Sequence, residues 1–448
     1  MNSITSPQSD SALARLPVEV LQRVSLSLTT TAFCAVRLTC RKLEQATFDE
    51  FARSFFRRKQ FMLTEPSLEA LGAISRHPTL SRYLEHLIIG LDRYGLTNAL
   101  GTPEQEAALH RGRAGQLGLL ASGGAVSLLA DALRGLPKLQ TVDIRDFNNT
   151  RRSRDGPLAQ WRSYGVGTVA AETGYRMAMH DPTDLGDWSG QVFCIVLAAM
   201  AAAAVRPPNL EVILRTNRRL QLKDFAFQIP RSFEASMRPV LGGLRKLHLD
   251  IEAHQPPAES CLGRFLSCTP NVAWLRLNFR VSMRLEGNPL LDWLAGGVAT
   301  DGTPLLAGLA QLDIGHVDTT RATLLAVATR YAATLRGLSL RRVFLAEASS
   351  RRDPVGLWQD FLRRLCGATE LRSLSLAFPY VRPSVIRTPV RVFLGKSESG
   401  SNAVERGFSG DVSEVRRFID ELVRDTVVDW PEGASSDSDS NSDEEDEW

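Results

Sequence analysis

Histidine and cysteine are the side chains that most often carry chemistry, and this chain has seven of the first and six of the second. His77, His86, His110, His180 and His316 lie far apart, while His248, His254, Cys261 and Cys268 follow one another at steps of six, seven and seven. Structural zinc sites close with gaps of about two to four residues. The wider spacing predicts an exposed strand histidine and helix-buried cysteines, with no metal bound. Gly123-Gly124 and Gly242-Gly243 lack the Lys-Ser/Thr that follows a phosphate loop and read as turn glycines. There is no Gly-x-Ser-x-Gly and no His-Glu-x-x-His. Cys40 has no nearby histidine in sequence and reads as a small buried hydrophobe. No catalytic residue, cofactor or metal ligand is expected, and the chain is not expected to be an enzyme.

Ser436, Ser440 and Ser442 each have an acid three residues on, the pattern an acidophilic kinase takes. They lie in a segment, 429–448, with nine acids and no Lys or Arg, too polar to order itself. Of the chain's 53 basic and 50 acidic residues, 41 acids remain outside this tail, so the body carries +12. Such a body favours acidic partners. Its basic residues are dispersed, without a dense block interleaved with aromatics, so no nucleic acid is expected.

The cysteines form no Cys-x-x-Cys pair and are sparse for 448 residues, which predicts free thiols in a reducing compartment. Residues 1–12 form a polar leader without an apolar stretch. The most apolar run, Phe193 to Val205, is closed by Arg206-Pro207-Pro208 and falls short of the roughly 20 residues a bilayer needs. It reads as a buried helix. The expected location is the cytoplasm or nucleus, with no membrane partner.

The elements come from periodicity. Residues 61–428 carry an irregular L-x-x-L-x-L repeat, beginning at Leu84, Leu139, Leu244, Val272, Leu309, Leu335 and Leu371, with a degenerate copy at Leu210. The last four copies follow their predecessors by 28, 37, 26 and 36 residues. Each x-L-x-L part alternates as a half-buried strand does. Helix-period stretches lie between, clearest at 125–133, 261–266, 322–331 and 355–365, and a final amphipathic helix at 412–422 buries Val415, Phe418, Ile419 and Leu422, capped by Asp411 or Ser413. Strand and helix in alternation predict parallel strands with right-handed crossovers, an α/β solenoid. The region resembles a leucine-rich-repeat horseshoe. Residues 148–190 and 281–288 read as long loops.

Residues 13–60 form a compact helical module. Pro17 suits a first helical turn, and Pro17, Val20, Leu21, Val24 and Leu28 follow on one face. Thr29-Thr30-Thr31 ends that helix and can cap the next. A second helix carries Phe33, Val36 and Leu38, and a third, from about Arg41, carries Leu43, Ala46, Phe51 and Phe55. So small a module cannot bury all these apolar groups alone.

The string Leu16-Pro17-Val18-Glu19-Val20-Leu21, with Val36-Arg37-Leu38-Thr39-Cys40-Arg41-Lys42-Leu43 behind it, resembles the F-box. The likeness covers about a tenth of the chain. Its centre, Val24-Ser25-Leu26-Ser27-Leu28 and the triple Thr, is more polar than the family pattern. An F-box joined to irregular repeats is similar to many fungal F-box proteins. The resemblance implies the substrate-recognition subunit of an SCF-type ubiquitin ligase, bound through a Skp-family adaptor to a cullin complex, with the repeats holding an unidentified target. Leu16, Pro17, Val20, Leu21, Val24 and Leu28 would face the adaptor. Val36, Leu38, Cys40 and Leu43 would divide between adaptor contact and internal packing. Two alternatives stay open: a module that caps the repeats, and a repeat scaffold acting without a ligase.

Overall fold

A computed structural model describes residues 12–95, 101–148, 153–156, 159, 162–177, 187–215, 221–252, 261–279, 288–297, 305–346, 354–382, 389–396 and 400–428. The leader up to Ser11, the tail with Ser436, Ser440 and Ser442, and residues 281–287 lie outside that set. The fold is mixed α/β, and the chain divides into two units, Met1–Ala253 with Glu259–Val272, and His254–Ala258 with Ala273–Trp448.

The first unit opens on the helical module, α1 (Val18–Ser27), α2 (Thr30–Thr39), α3 (Arg41–Ala46) and α4 (Phe48–Phe56). A 3-10 turn at Ala12–Arg15 precedes it. The third helix expected from Arg41 is two, broken at Thr47, whose hydroxyl donates to the Leu43 carbonyl at 2.6 Å. Local hydrogen bonding of this kind competes with helix continuation. The Thr29 hydroxyl caps α2 by accepting from the Ala32 amide at 3.2 Å.

Strand and helix then alternate: β1 (Arg58–Met62), α5 (Glu65–Arg76), β2 (His86–Gly90), α6 (Pro103–Ala121), α7 (Gly124–Arg134), β3 (Thr141–Arg145), α8 (Val166–Thr173), α9 (Trp188–Ala203), β4 (Asn209–Ile213), β5 (Leu222–Lys223), α10 (Arg231–Gly242), β6 (Lys246–Glu252) and α11 (Cys261–Ser267). Strands β1, β2, β3, β4 and β6 pair in that order, all parallel, and β5 adds to β6. The repeat residues are what the helices cover: Leu87, Ile89, Val142, Ile144, Leu210, Val212, Leu247 and Leu249 are all buried. Each contributes roughly 1.5–3 kcal/mol by leaving water. The loop expected over 148–190 is interrupted by α8 and by a 3-10 turn at Ser153–Asp155.

The second unit runs β7 (Trp274–Phe279), α12 (Pro289–Gly296), β8 (Gln311–Thr320), α13 (Arg321–Arg330), β9 (Gly337–Ala346), α14 (Pro354–Ala368), β10 (Ser373–Ala377), β11 (Tyr380–Arg382), β12 (Val390–Leu394), β13 (Glu405–Ser409), α15 (Val412–Asp425) and β14 (Thr426–Val428). The pairs β7–β8, β8–β9, β9–β10 and β9–β11 are parallel. The expectation of parallel strands throughout is corrected at the end, where β10–β13, β11–β12 and β12–β14 are antiparallel. Helix α15 buries Val415, Phe418, Ile419 and Leu422 and starts on a capping box between Asp411 and Glu414.

His316, Arg342 and Phe378 adopt positive φ at 59°, 52° and 52°. The pairs Gly315–Arg341 and Val317–Val343 bracket the first two, placing them at one level of the sheet. A residue at positive φ breaks a strand's alternation, so that the faces exchange beyond it. The buried set accordingly passes from Leu312 and Ile314 to Val317 and Thr319 in β8, and from Leu338 and Leu340 to Val343 and Leu345 in β9.

Candidate functional site

The module has a core too small for its apolar content. Phe33, Phe51 and Phe55 pack as one aromatic group, with the Phe33 ring 6.2 Å from Phe51 and stacked on Phe55 at 6.3 Å. Ala14, Leu21 and Leu43 form a second cluster, with Leu13, Val36 and Ala46 against it. What remains faces water. Leu16, Val18, Val20, Val24, Leu26 and Leu38 are exposed, Leu26 at 58% and Leu38 at 86%. These are six of the thirteen large exposed hydrophobics among the described residues, gathered between Leu16 and Leu38. Exposed apolar residues in such number are what an interaction surface presents.

The structure divides the residues the resemblance assigned to adaptor contact. Leu16, Pro17, Val20, Val24, Leu38 and Cys40 are exposed, Leu28 and Val36 are half-buried, and Leu21 and Leu43 are buried. Leu21 was expected outward with Val20. It turns inward because adjacent helical residues point about 100° apart, and Ser25, one turn on, is buried with it. Cys40 was expected buried, yet it is exposed in the extended residue between α2 and α3.

A clamp fixes the module within its unit. Asp155 accepts from the Thr30 amide at 2.6 Å and from its hydroxyl at 2.5 Å, capping α2 from outside the helix. Arg154 pairs with Glu50 at 3.2 Å, donates to the Ser54 hydroxyl at 3.1 Å, and lies over Phe33 and Phe55.

The strands of this unit present their x positions in ranks. Arg58, His86, Thr141, Asn209 and Lys246 share one rank, and Gln60, Ile88, Asp143, Glu211 and His248 the next. Asp143 Oδ2 accepts from Arg145 at 2.7 and 2.5 Å and lies 2.9 Å from His86 Nε2. Lys246 Nζ donates to Glu211 at 2.8 Å. Burial pushes the Glu211 carboxyl up, but the hydrogen bond and charge of Lys246, joined by His248 and His86, leave it below the usual carboxylate range. Ligand atoms of His86, Asp143 and Glu211 lie within 4.8 Å of one another, close enough for a cation. Arg145 and Lys246 already balance both carboxylates, so the cluster is an internally paired, buried charge network. His248 was expected exposed; it is on β6 but buried. Cys261 and Cys268, expected buried, are half-buried at the two ends of α11.

No protein-family model matches this sequence, and no curated protein matches it.

Beside this face, where β1, β2 and β3 begin, two hollows of about 500 and 630 Å³ share Arg53, Ser54, Arg57 and Glu85 as walls. This basic groove was not foreseen. Its cations sit on three segments far apart in the chain, 53–59, Arg82 and Lys138, and only the strand pairing gathers them.

The second unit has its own buried charge pair. Arg382 Nε donates to Asp318 at 2.8 Å, and the guanidinium lies 5.3 Å from the Phe344 ring, itself stacked on Tyr380 at 4.6 Å. Burial pushes the Asp318 carboxyl up in spite of Arg382. The positive-φ residues His316 and Arg342 lie two residues before Asp318 and Phe344.

Proposed function

We propose that this chain is the substrate-recognition subunit of an SCF-type ubiquitin ligase. Its F-box-like module docks on a Skp-family adaptor, which links it to a cullin complex, and its leucine-rich-repeat-like strands hold a target protein. On this reading the chain is non-catalytic and works in the cytoplasm or nucleus. The observation that carries it is the set of exposed hydrophobics on the module, four of which, Leu16, Val20, Val24 and Leu38, stand where the resemblance places adaptor contact. The test is co-elution of the full chain with a purified Skp-family adaptor. Wild type should co-elute, and Val20→Asp with Val24→Asp should elute alone while melting as wild type does. If both elute apart from the adaptor, the reading fails.

A second reading, a repeat scaffold acting without a ligase, is favoured by one observation. The polar strand face and basic groove can bind a partner without the exposed module residues. It predicts that the Val20→Asp, Val24→Asp protein keeps both partner binding and partner abundance.

A further inference from the structure

The two hollows at the start of β1, β2 and β3 form one groove, because they share four wall residues. Six cations line it: Arg53, Arg57, Arg58, Lys59, Arg82 and Lys138. Among the described residues its one carboxylate is Glu85, held by Arg57 at 2.8 Å. Arg53, Arg82 and Lys138 are exposed and make no ion pair among the described residues. Burial, and then the neighbouring Arg145, lower the Arg58 guanidinium, with Asp143 and Glu211 acting against them.

We propose that this groove binds an acidic peptide segment of the protein the chain recognises. The proposal rests on the substrate-receptor reading only for whose segment it is. Charge decides the class: six cations facing one neutralised carboxylate repel each other until an anion enters. Size decides against a free inorganic anion, since a single phosphate fills a small part of the two hollows. Surface chemistry decides against nucleic acid. Single-strand sites combine cations with several stacking rings. Here Tyr83 is the only Phe, Tyr or Trp among the described wall residues, and its hydroxyl donates to Asp49 at 2.5 Å. Gln140, exposed just before β3, adds an amide that can hydrogen-bond a peptide backbone.

The test is fluorescence anisotropy on the full chain, with a labelled peptide of about twelve alternating Glu and Ser residues as the probe. Binding should saturate and weaken by at least about tenfold between roughly 50 and 200 mM salt, as screening requires. The variant Arg53→Glu, Arg82→Glu, Lys138→Glu should lose it by a further factor of about ten or more. These side chains are exposed, so the fold should survive. Arg53→Gln, Arg82→Gln, Lys138→Gln, which removes charge without reversing it, should give an intermediate loss. No saturable binding, or binding that neither variant weakens, overturns the proposal. So does tighter binding of a single-stranded DNA of equal charge, or peptide binding that appears only after the nine acids of 429–448 are changed to Asn and Gln, which would make that segment the occupant. Co-elution of the same variants with the adaptor is scored separately. The groove variants should lose the peptide and keep co-elution; a wild-type chain that binds the peptide but not the adaptor defeats the receptor reading alone, and one that binds the adaptor but not the peptide defeats the groove proposal alone.

Discussion

The Asp92 carboxyl sits where water cannot reach it. It accepts from the Ser163 hydroxyl, which in turn accepts from Gln60 at 3.0 Å, and a Cβ on Gly90 would strike all three side chains. Burial pushes the carboxyl up to about 6, with the Ser163 bond opposing. A carboxyl raised on folding stabilises the protein in its neutral form, so the contribution is complete below the unfolded value near 3.8 and is lost as pH rises through about 6. A rise of that size corresponds to roughly 3 kcal/mol. Asp92→Asn, which keeps an acceptor for Ser163 without charge, should melt above wild type at pH 7.5 and level with it near pH 4. Thermal scans across that range check this; a variant that melts below wild type at pH 7.5 contradicts it. At this scale the sequence was least legible. Gln60, Asp92 and Ser163 are separated by over thirty residues at the least, and likewise His86, Asp143 and Glu211 meet only through register, which the x positions of a repeat do not announce. The same limit applies to Leu21 and Val20, where two apolar stripes on one short helix leave the inward one to tertiary packing.

Elements were more legible, for a physical reason. In every L-x-x-L-x-L copy the last two apolar residues are buried on a strand, because period-two burial is both what the motif encodes and what a sheet covered by helices requires. Strand β1 escaped because Arg58-Lys59-Gln60-Phe61-Met62 has no leading Leu, although Phe61 is buried. Helix α6 escaped although its capping box, Thr102 with Gln105, stands plainly in the sequence ahead of Pro103; a helix so weakly amphipathic shows no stripe. The stretch 148–190 concealed the clamp, since Arg154 and Asp155 act on α2 and α4 across more than a hundred residues. Removing that outside cap should cost about 1 kcal/mol. Asp155→Ala should therefore raise hydrogen exchange in the first turn of α2 about fivefold, leaving β2 and β3 unchanged. Equal exchange in α2 would show that Thr29 alone caps it.

At the scale of the whole molecule, the division into a helical module at 13–60 and a longer run of strands and helices at 61–428 followed from a switch in hydrophobic period, and the helices α1 to α4 belong to the same unit as β1 to β6. What composition could not supply was distribution: a body of +12 describes no site, and only pairing of β1, β2 and β3 gathers six of its cations into a groove. The exposed apolar residues of the module are the feature that most needs a partner, and Leu38, at 86% exposure, is the one with least to do inside this chain. Calorimetric titration of a Skp-family adaptor into the full chain measures that need directly. A one-to-one complex with Kd near or below about 1 μM is expected, weakened at least tenfold by Leu38→Asp at unchanged melting temperature. Absence of binding, or binding that Leu38→Asp leaves as it was, would contradict it.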